Sequence, residues 1–283
     1  MRPLNGLEKK GITYSKIVCD SEGSLDVNAI EGVVQPNTKG IVMTHASNVC
    51  GTVIDIESVG EICKRHGLLF IVDSAQTAGL LDIDIYGMSV DALAFTGHKS
   101  LLGPQGIGGF VINDRLAEQM GTLIEGGTGS LSDLEVQPDF MPDKFEAGTL
   151  NIPGIFGLNE SVKYILKETT EAIREKEIAL TSIFVEALLN MDHIDLIGRN
   201  SIVNRTGIVS IDFKYMDNGI MAQELYEKHG IITRSGLHCS PSAHQTLGTF
   251  PRGTVRFGLS HFMSKDDISC AIDAIYGLRS IRD

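Results

Sequence analysis

The sequence has no C-x-x-C pair. Its five cysteines stand alone at positions 19, 50, 63, 239 and 270. An odd, scattered set is neither a disulfide framework nor a structural zinc site, and it suits free thiols in a reducing compartment. Long apolar runs are missing too. The longest unbroken aliphatic or aromatic stretch, Leu68 to Val72, falls far short of the roughly 20 residues of a membrane span. Met1 to Lys10 is too charged for a secretory signal. Basic residues are the minority, 24 Lys and Arg against 36 Asp and Glu. The resulting net charge of −12 repels phosphate backbones and anionic lipid headgroups. We expect a cytoplasmic protein that binds neither nucleic acid nor membrane. No internal repeat, low-complexity tract or charge block interrupts the chain.

What is present is a core-forming composition, 42% hydrophobic in 283 residues, with 31 glycines. The glycines gather at 97–109, 121–129 and 230–258, where backbone can approach a ligand closely. Ile41–Thr44 reads as a strand, and Asp55 caps a helix over Ile56–His66 that Gly67 stops. Leu68–Val72 reads as a strand buried on both faces, of the parallel-sheet kind. Ala92–Phe95 and Gly109–Ile112 repeat the pattern. Strands alternating with helices predict an α/β architecture with a mostly parallel sheet, whose ligands sit beyond the carboxyl ends of the strands. A long helix over Leu158–Leu189 leads to a smaller α/β part, with strands at Gly207–Phe213 and Thr254–Leu259 and helices at Met221–His229 and Lys265–Leu278. We expect a large domain over residues 1–167 and a small one over 168–283.

The chemistry concentrates in a few segments. Thr96-Gly97-His98-Lys99 lies between a buried strand and the glycine-rich stretch Gly103–Gly109, which lacks the lysine of a nucleotide loop and the dinucleotide pattern. An amine desolvated there loses its proton more readily and can form an imine with an aldehyde cofactor. Asp73 closes the apolar run. It either caps the following turn or pairs with the ring nitrogen of pyridoxal 5′-phosphate. Cys239 sits among turn formers, which predicts a mobile loop, and His238 and Arg234 beside it would favour a thiolate. His238, Cys239, His244 and His261 are close in sequence but lack the paired spacing of a metal site, so no metal is expected.

Asn48 within Ser47–Thr52, Asp73-Ser74-Ala75-Gln76, Thr96-Gly97-His98-Lys99, Phe145-Glu146-Ala147-Gly148-Thr149 and Arg234–Cys239 occur in the order seen in cysteine desulfurases. Over nearly its whole length the chain resembles that class V aminotransferase family, with its fold type I. The resemblance implies that Lys99 bears pyridoxal 5′-phosphate, that Asp73 pairs with the ring nitrogen, and that Gln76 hydrogen-bonds the ring oxygen. It implies that Thr96 and His98 hold the phosphate and that Asn48 lies near substrate and cofactor. Thr149 would reach the phosphate of a second subunit, hence a homodimer. Arg256 would bind the substrate carboxylate in a bidentate pair, assisted by Arg234. Cys239 would take sulfur from L-cysteine as a persulfide, leaving L-alanine, and pass it to an acceptor protein. Other class V reactions, among them transamination and selenocysteine cleavage, and a catalytically silent copy stay open as alternatives.

The resemblance also implies a difference. Family members carry a long stretch before the position matching Met1, with a Gly-Thr phosphate loop and a histidine that stacks on the ring. Neither has a counterpart here, and His45 is not in the stacking position. A chain without them is expected to bind the cofactor less tightly and to expose apolar surface in its large domain.

Overall fold

The computed structural model describes residues 1–131 and 133–280. In chain order it begins with helices α1 (Arg2–Glu8) and α2 (Asn28–Glu31), strand β1 (Gly40–Thr44), helix α3 (Ile56–His66) and strand β2 (Leu69–Asp73). Strands β3 (Ala92–Thr96) and β4 (Gly108–Ile112) follow, then helices α4 (Asp114–Gln119), α5 (Ile152–Glu168) and α6 (Thr170–Leu188). The last part holds β5 (Ile194–Ile197), β6 (Ile208–Phe213), α7 (Asn218–His229), β7 (Arg234–Gly236), α8 (Pro241–Thr246), β8 (Thr254–Gly258) and α9 (Lys265–Gly277). The chain divides into two compact units. One comprises Gly40–His45 and Gly67–Arg174, the other Met1–Lys39, Ala46–His66 and Glu175 onward. Among the described residues no helix is long and apolar enough to cross a membrane.

The first unit is built on a mixed sheet in the order β1-β2-β3-β4. β1, β2 and β3 run parallel, whereas β4 pairs antiparallel with β3, Thr96 facing Gly108 and Ala92 facing Ile112. The parallel reading therefore holds for three strands, and the tight connection through Gly97–Gly106 turns the fourth around. β2 alternates rather than being buried on both faces. Phe70 and Val72 are fully buried while Leu69 and Ile71 are only half covered. At the amino end of β3 the Asp91 carboxylate accepts from the Phe70 N–H at 2.8 Å, the Asn113 amide at 2.6 Å and the Arg115 guanidinium at 2.6 Å. Centred on the buried Asp91, these bonds fix the strand starts and leave the carboxyl ends to carry function. The helix expected over Leu158–Leu189 is two helices, α5 and α6, because Thr169 between them takes a positive φ of 69°.

The second unit carries an antiparallel sheet in the order β5-β6-β8-β7. One face of α6, with Leu180, Phe184, Val185 and Leu188, packs into the same core as Val209 and Ile211 of β6, Val255 and Phe257 of β8, and Met221 and Leu225 of α7. Spacings of three and four residues put those α6 side chains on one stripe. Each such side chain fully buried contributes roughly 1.5–3 kcal/mol. The helix ends are specified locally. Asp217 caps α7 and Gly230 closes it in the left-handed conformation, while Ser264 and Asp267 form a reciprocal capping box on α9.

Candidate functional site

In the first unit the predicted cofactor residues gather at the carboxyl ends of β2 and β3. The His45 N–H donates to the Asp73 carbonyl at 2.9 Å, and the Ser74 N–H and hydroxyl both donate to the Ala94 carbonyl, at 2.8 and 2.9 Å. The strand ends are thus pinned to one another. The Asp73 side chain is exposed, with Oδ1 accepting from the Ala75 N–H at 2.9 Å. It caps the turn as one of its two expected roles required, and the second oxygen leaves acceptor capacity. Gln76 follows in that turn, its backbone carbonyl accepting from the Ser100 hydroxyl at 3.4 Å.

Thr96 ends β3, and its hydroxyl lies 3.0 Å from Nδ1 of His98. The chain then folds back tightly. The Gly97 N–H donates to the Ile107 carbonyl at 2.9 Å, the Leu102 N–H to the Lys99 carbonyl at 2.8 Å and the Gly103 N–H to the Gly97 carbonyl at 2.7 Å. Position 97 has no room for a side chain, since a Cβ there would lie 2.6 Å from Ile107 Cγ2. This turn projects Lys99 from the strand end, but Lys99 is exposed. The desolvation expected from its strand neighbours is not found at this exposed position. Thr149 lies in an exposed loop anchored by the Gly148 N–H on the Gly127 carbonyl at 2.7 Å. His45 is buried and held down to about 4, first by burial and then by Arg174, so its ring is neutral.

In the second unit the predicted substrate residues surround one turn. Arg234 of β7 stands directly opposite Arg256 of β8. Like charges in that relation repel, so the pair suits an anion placed between them. Arg256 is half-buried, and burial, then Arg234, push its guanidinium toward the neutral form while Cys239 acts the other way. The Arg256 Nη1 donates to the Asn48 carbonyl at 2.8 Å, and the Arg234 Nη2 donates to Cys239 Sγ at 3.4 Å. Cys239 is exposed. Both His238 and Cys239 take left-handed backbone, with φ of 48° and 62°, which costs roughly 1–3 kcal/mol each for residues with a Cβ. Within the turn the Ser240 N–H donates to the Leu237 carbonyl at 2.8 Å, and further bonds run to Asn48.

His238 does not supply the positive charge expected beside the thiol. Its ring is buried, Nε2 lies 2.9 Å from the Thr254 hydroxyl, and burial together with Arg256 and His244 holds it down to about 4. Arg234 is left as the cation on the sulfur. Because the folded value lies below the ordinary 6.5, the buried neutral ring contributes stability that is complete above about pH 6.5 and is lost as pH falls toward about 4. Urea midpoints should fall through that window, and His238→Asn should flatten the fall. An unchanged pH profile in the variant would remove His238 from the explanation.

Three residues that sequence reading passed over complete this side. Arg205 is fully buried and donates to the carbonyls of Cys50 at 3.2 Å and Ile208 at 3.0 Å. The Ser210 hydroxyl donates to the Val49 carbonyl at 2.6 Å. The Ser240 hydroxyl donates to Asn48 Oδ1 at 2.8 Å. Only Ser240 had a signal in the sequence, its place next to Cys239. The carbonyls that Arg205 and Ser210 bond here come from residues far away in sequence or brought near by folding.

Residues 2–270 match the family described as aminotransferase class-V. A protein of Methanothermobacter thermautotrophicus named "Probable cysteine desulfurase" is 33% identical over 94% of this chain and 67% of its own length. One of the same name from Pyrococcus abyssi is 32% identical over 97% of this chain and 68% of its own. Among solved structures, the apo cysteine desulfurase of Thermococcus onnurineus NA1 superposes with a TM-score of 0.91 at 30% identity, over 98% of this chain and 69% of that one. With a match spanning nearly its full length and relatives of this identity, the chain belongs to the class-V aminotransferase family, which is pyridoxal phosphate-dependent and includes the cysteine desulfurases.

Proposed function

We propose that this chain is a cysteine desulfurase that converts L-cysteine to L-alanine and takes the sulfur onto Cys239. The observation that carries the reading is the exposed thiol held beside Arg234, with Arg256 paired directly across the sheet from that arginine. The nucleophile on the turn and the two arginines on the adjoining strands β7 and β8 are then neighbours. The side chains at the ends of β2 and β3 fit pyridoxal 5′-phosphate. Lys99 offers an amine for its aldehyde, Asp73 a carboxylate for the ring nitrogen and Gln76 an amide for the ring oxygen. The adjoining Thr96 hydroxyl and His98 imidazole offer hydrogen bonds for its phosphate. When bound, the cofactor supplies an electron sink for bonds at the substrate's α-carbon.

Arg256 binds the substrate carboxylate, and Arg234 donates to the Cys239 sulfur, which attacks as the thiolate. That thiolate attacks the sulfur of cysteine, an S–S bond forms as the Cβ–S bond breaks, and carbon keeps the electron pair and takes a proton. The products are a persulfide on Cys239 and alanine. The exposure of Cys239 leaves the persulfide open to an acceptor protein, and five free cysteines suit the reducing cytoplasm. The test is turnover of L-cysteine by the cofactor-loaded chain, with alanine formed mole for mole with transferred sulfur. Pyruvate or ammonia in place of alanine would indicate elimination and count against the reading.

A homodimer belongs to the same proposal, through Thr149. It is supported by the exposure of Leu150, Ile152 and Phe156, which follow Thr149 in sequence, Phe156 to 68%, since exposed apolar surface favours association. Sedimentation should give twice the monomer mass, and Phe156→Glu should shift the population to monomer. A monomer at all concentrations would contradict it.

A further inference from the structure

We propose that Ser240 is a positioning residue for sulfur transfer, acting with Asn48 as a clamp that holds Cys239 against Arg234. The proposal rests on the desulfurase reading for its consequence but on the geometry of one unit for its existence. Asn48 lies in the Ser47–Thr52 loop and grips the cysteine turn from both sides of the thiol. Its Nδ2 donates to the His238 carbonyl at 2.9 Å, and its Oδ1 accepts from the Ser240 hydroxyl at 2.8 Å. Between those two contacts lie the consecutive left-handed residues His238 and Cys239. Neither conformation persists unless its surroundings impose it. The His238 ring, buried on the Thr254 hydroxyl, fixes one side, and the Asn48–Ser240 bond fixes the other.

The clamp is itself fastened. The backbone of residues 48–50 is held by the Arg256 guanidinium on the Asn48 carbonyl, by the Ser210 hydroxyl on the Val49 carbonyl and by Arg205 on the Cys50 carbonyl. The Ser47 hydroxyl accepts from the Val49 and Cys50 N–H groups, each at 3.2 Å. Asn48 is therefore held by several contacts, and Ser240 is a side chain of the cysteine turn that bonds to it. Arg256 touches the same residue, so the proposed carboxylate-binding group and the thiol share one support. Loss of the Ser240 hydroxyl lets the turn relax toward ordinary backbone angles and carries Sγ away from Arg234.

The test is iodoacetamide labelling of Cys239 at neutral pH, followed peptide by peptide because Cys270 is also exposed, alongside cysteine turnover. In Ser240→Ala, labelling of Cys239 should slow by about three- to tenfold as Sγ leaves the Arg234 guanidinium that it contacts in the parent. The kcat should fall by a similar factor with KM for cysteine unchanged, and Ser240→Thr, which restores a hydroxyl, should recover both. If Ser240→Ala does not fold, Asn48→Asp serves instead. It keeps the acceptor for Ser240, loses the donor to His238 and should slow labelling in the same direction. Labelling of Ser240→Ala at the parental rate, or slowing that threonine does not reverse, would overturn the clamp. If labelling follows the expectation while the parent makes no alanine, the clamp stands and the desulfurase reading falls.

Discussion

Replacing Lys99 with alanine should lower alanine formation from L-cysteine by about 10³-fold or more, the scale of loss when a covalently acting side chain is removed. The expected cause is chemical. Lys99 is exposed beyond β3 on a turn closed by its own carbonyl and that of Gly97, so its truncation should leave the unfolding temperature nearly unchanged. Lys99→Arg sharpens the test. A guanidinium keeps the charge but cannot serve as a free amine, and it should be as inactive as alanine. Activity retained by the arginine variant would mean that Lys99 contributes charge alone, and the cofactor assignment would fail.

Cys239→Ser should abolish sulfur transfer, by about 10²-fold or more, while cofactor binding persists. The change is nearly isosteric, and Arg234 can donate to either atom. A serine hydroxyl, however, is a weak nucleophile at neutral pH unless a base activates it. The only imidazole adjoining it in sequence is the neutral, buried His238, whose Nε2 is engaged with Thr254. The readout is persulfide on the protein, detected by alkylation and mass spectrometry. Should the serine variant release sulfur at the parental rate, the nucleophile assignment is wrong, and a selenocysteine-type cleavage that needs no enzyme thiol becomes the better account.

The sequence made the strands of the first unit legible because they are short, mostly apolar runs whose ends are marked by Asp73, Thr96 and glycine. It did not reveal that β4 runs antiparallel, since direction is set by a tight turn and not by hydrophobic pattern. The strands β5 and β7 were missed for a related reason. Ile194–Ile197 is only four residues long, and β7 is Arg-Ser-Gly, whose pairing with β8 owes nothing to strand propensity. Asp55 was readable as a cap because the bond it makes, to the Ser58 N–H at 3.0 Å, is local. The contacts that shape the cysteine turn are of the opposite kind. Asn48 and Ser240 are separated by 192 positions, and no periodicity announces their meeting. His238 illustrates the same limit. Adjacency to Cys239 suggested a cation, whereas the ring is buried against the Thr254 hydroxyl, where burial keeps it neutral.

The most direct measurement is borohydride reduction of the chain loaded with pyridoxal 5′-phosphate, followed by digestion and peptide mass spectrometry. The account predicts a pyridoxyl group on the peptide containing Lys99, absent from Lys99→Ala. A chain that takes up no pyridoxyl group, or takes it up on another lysine, would contradict it.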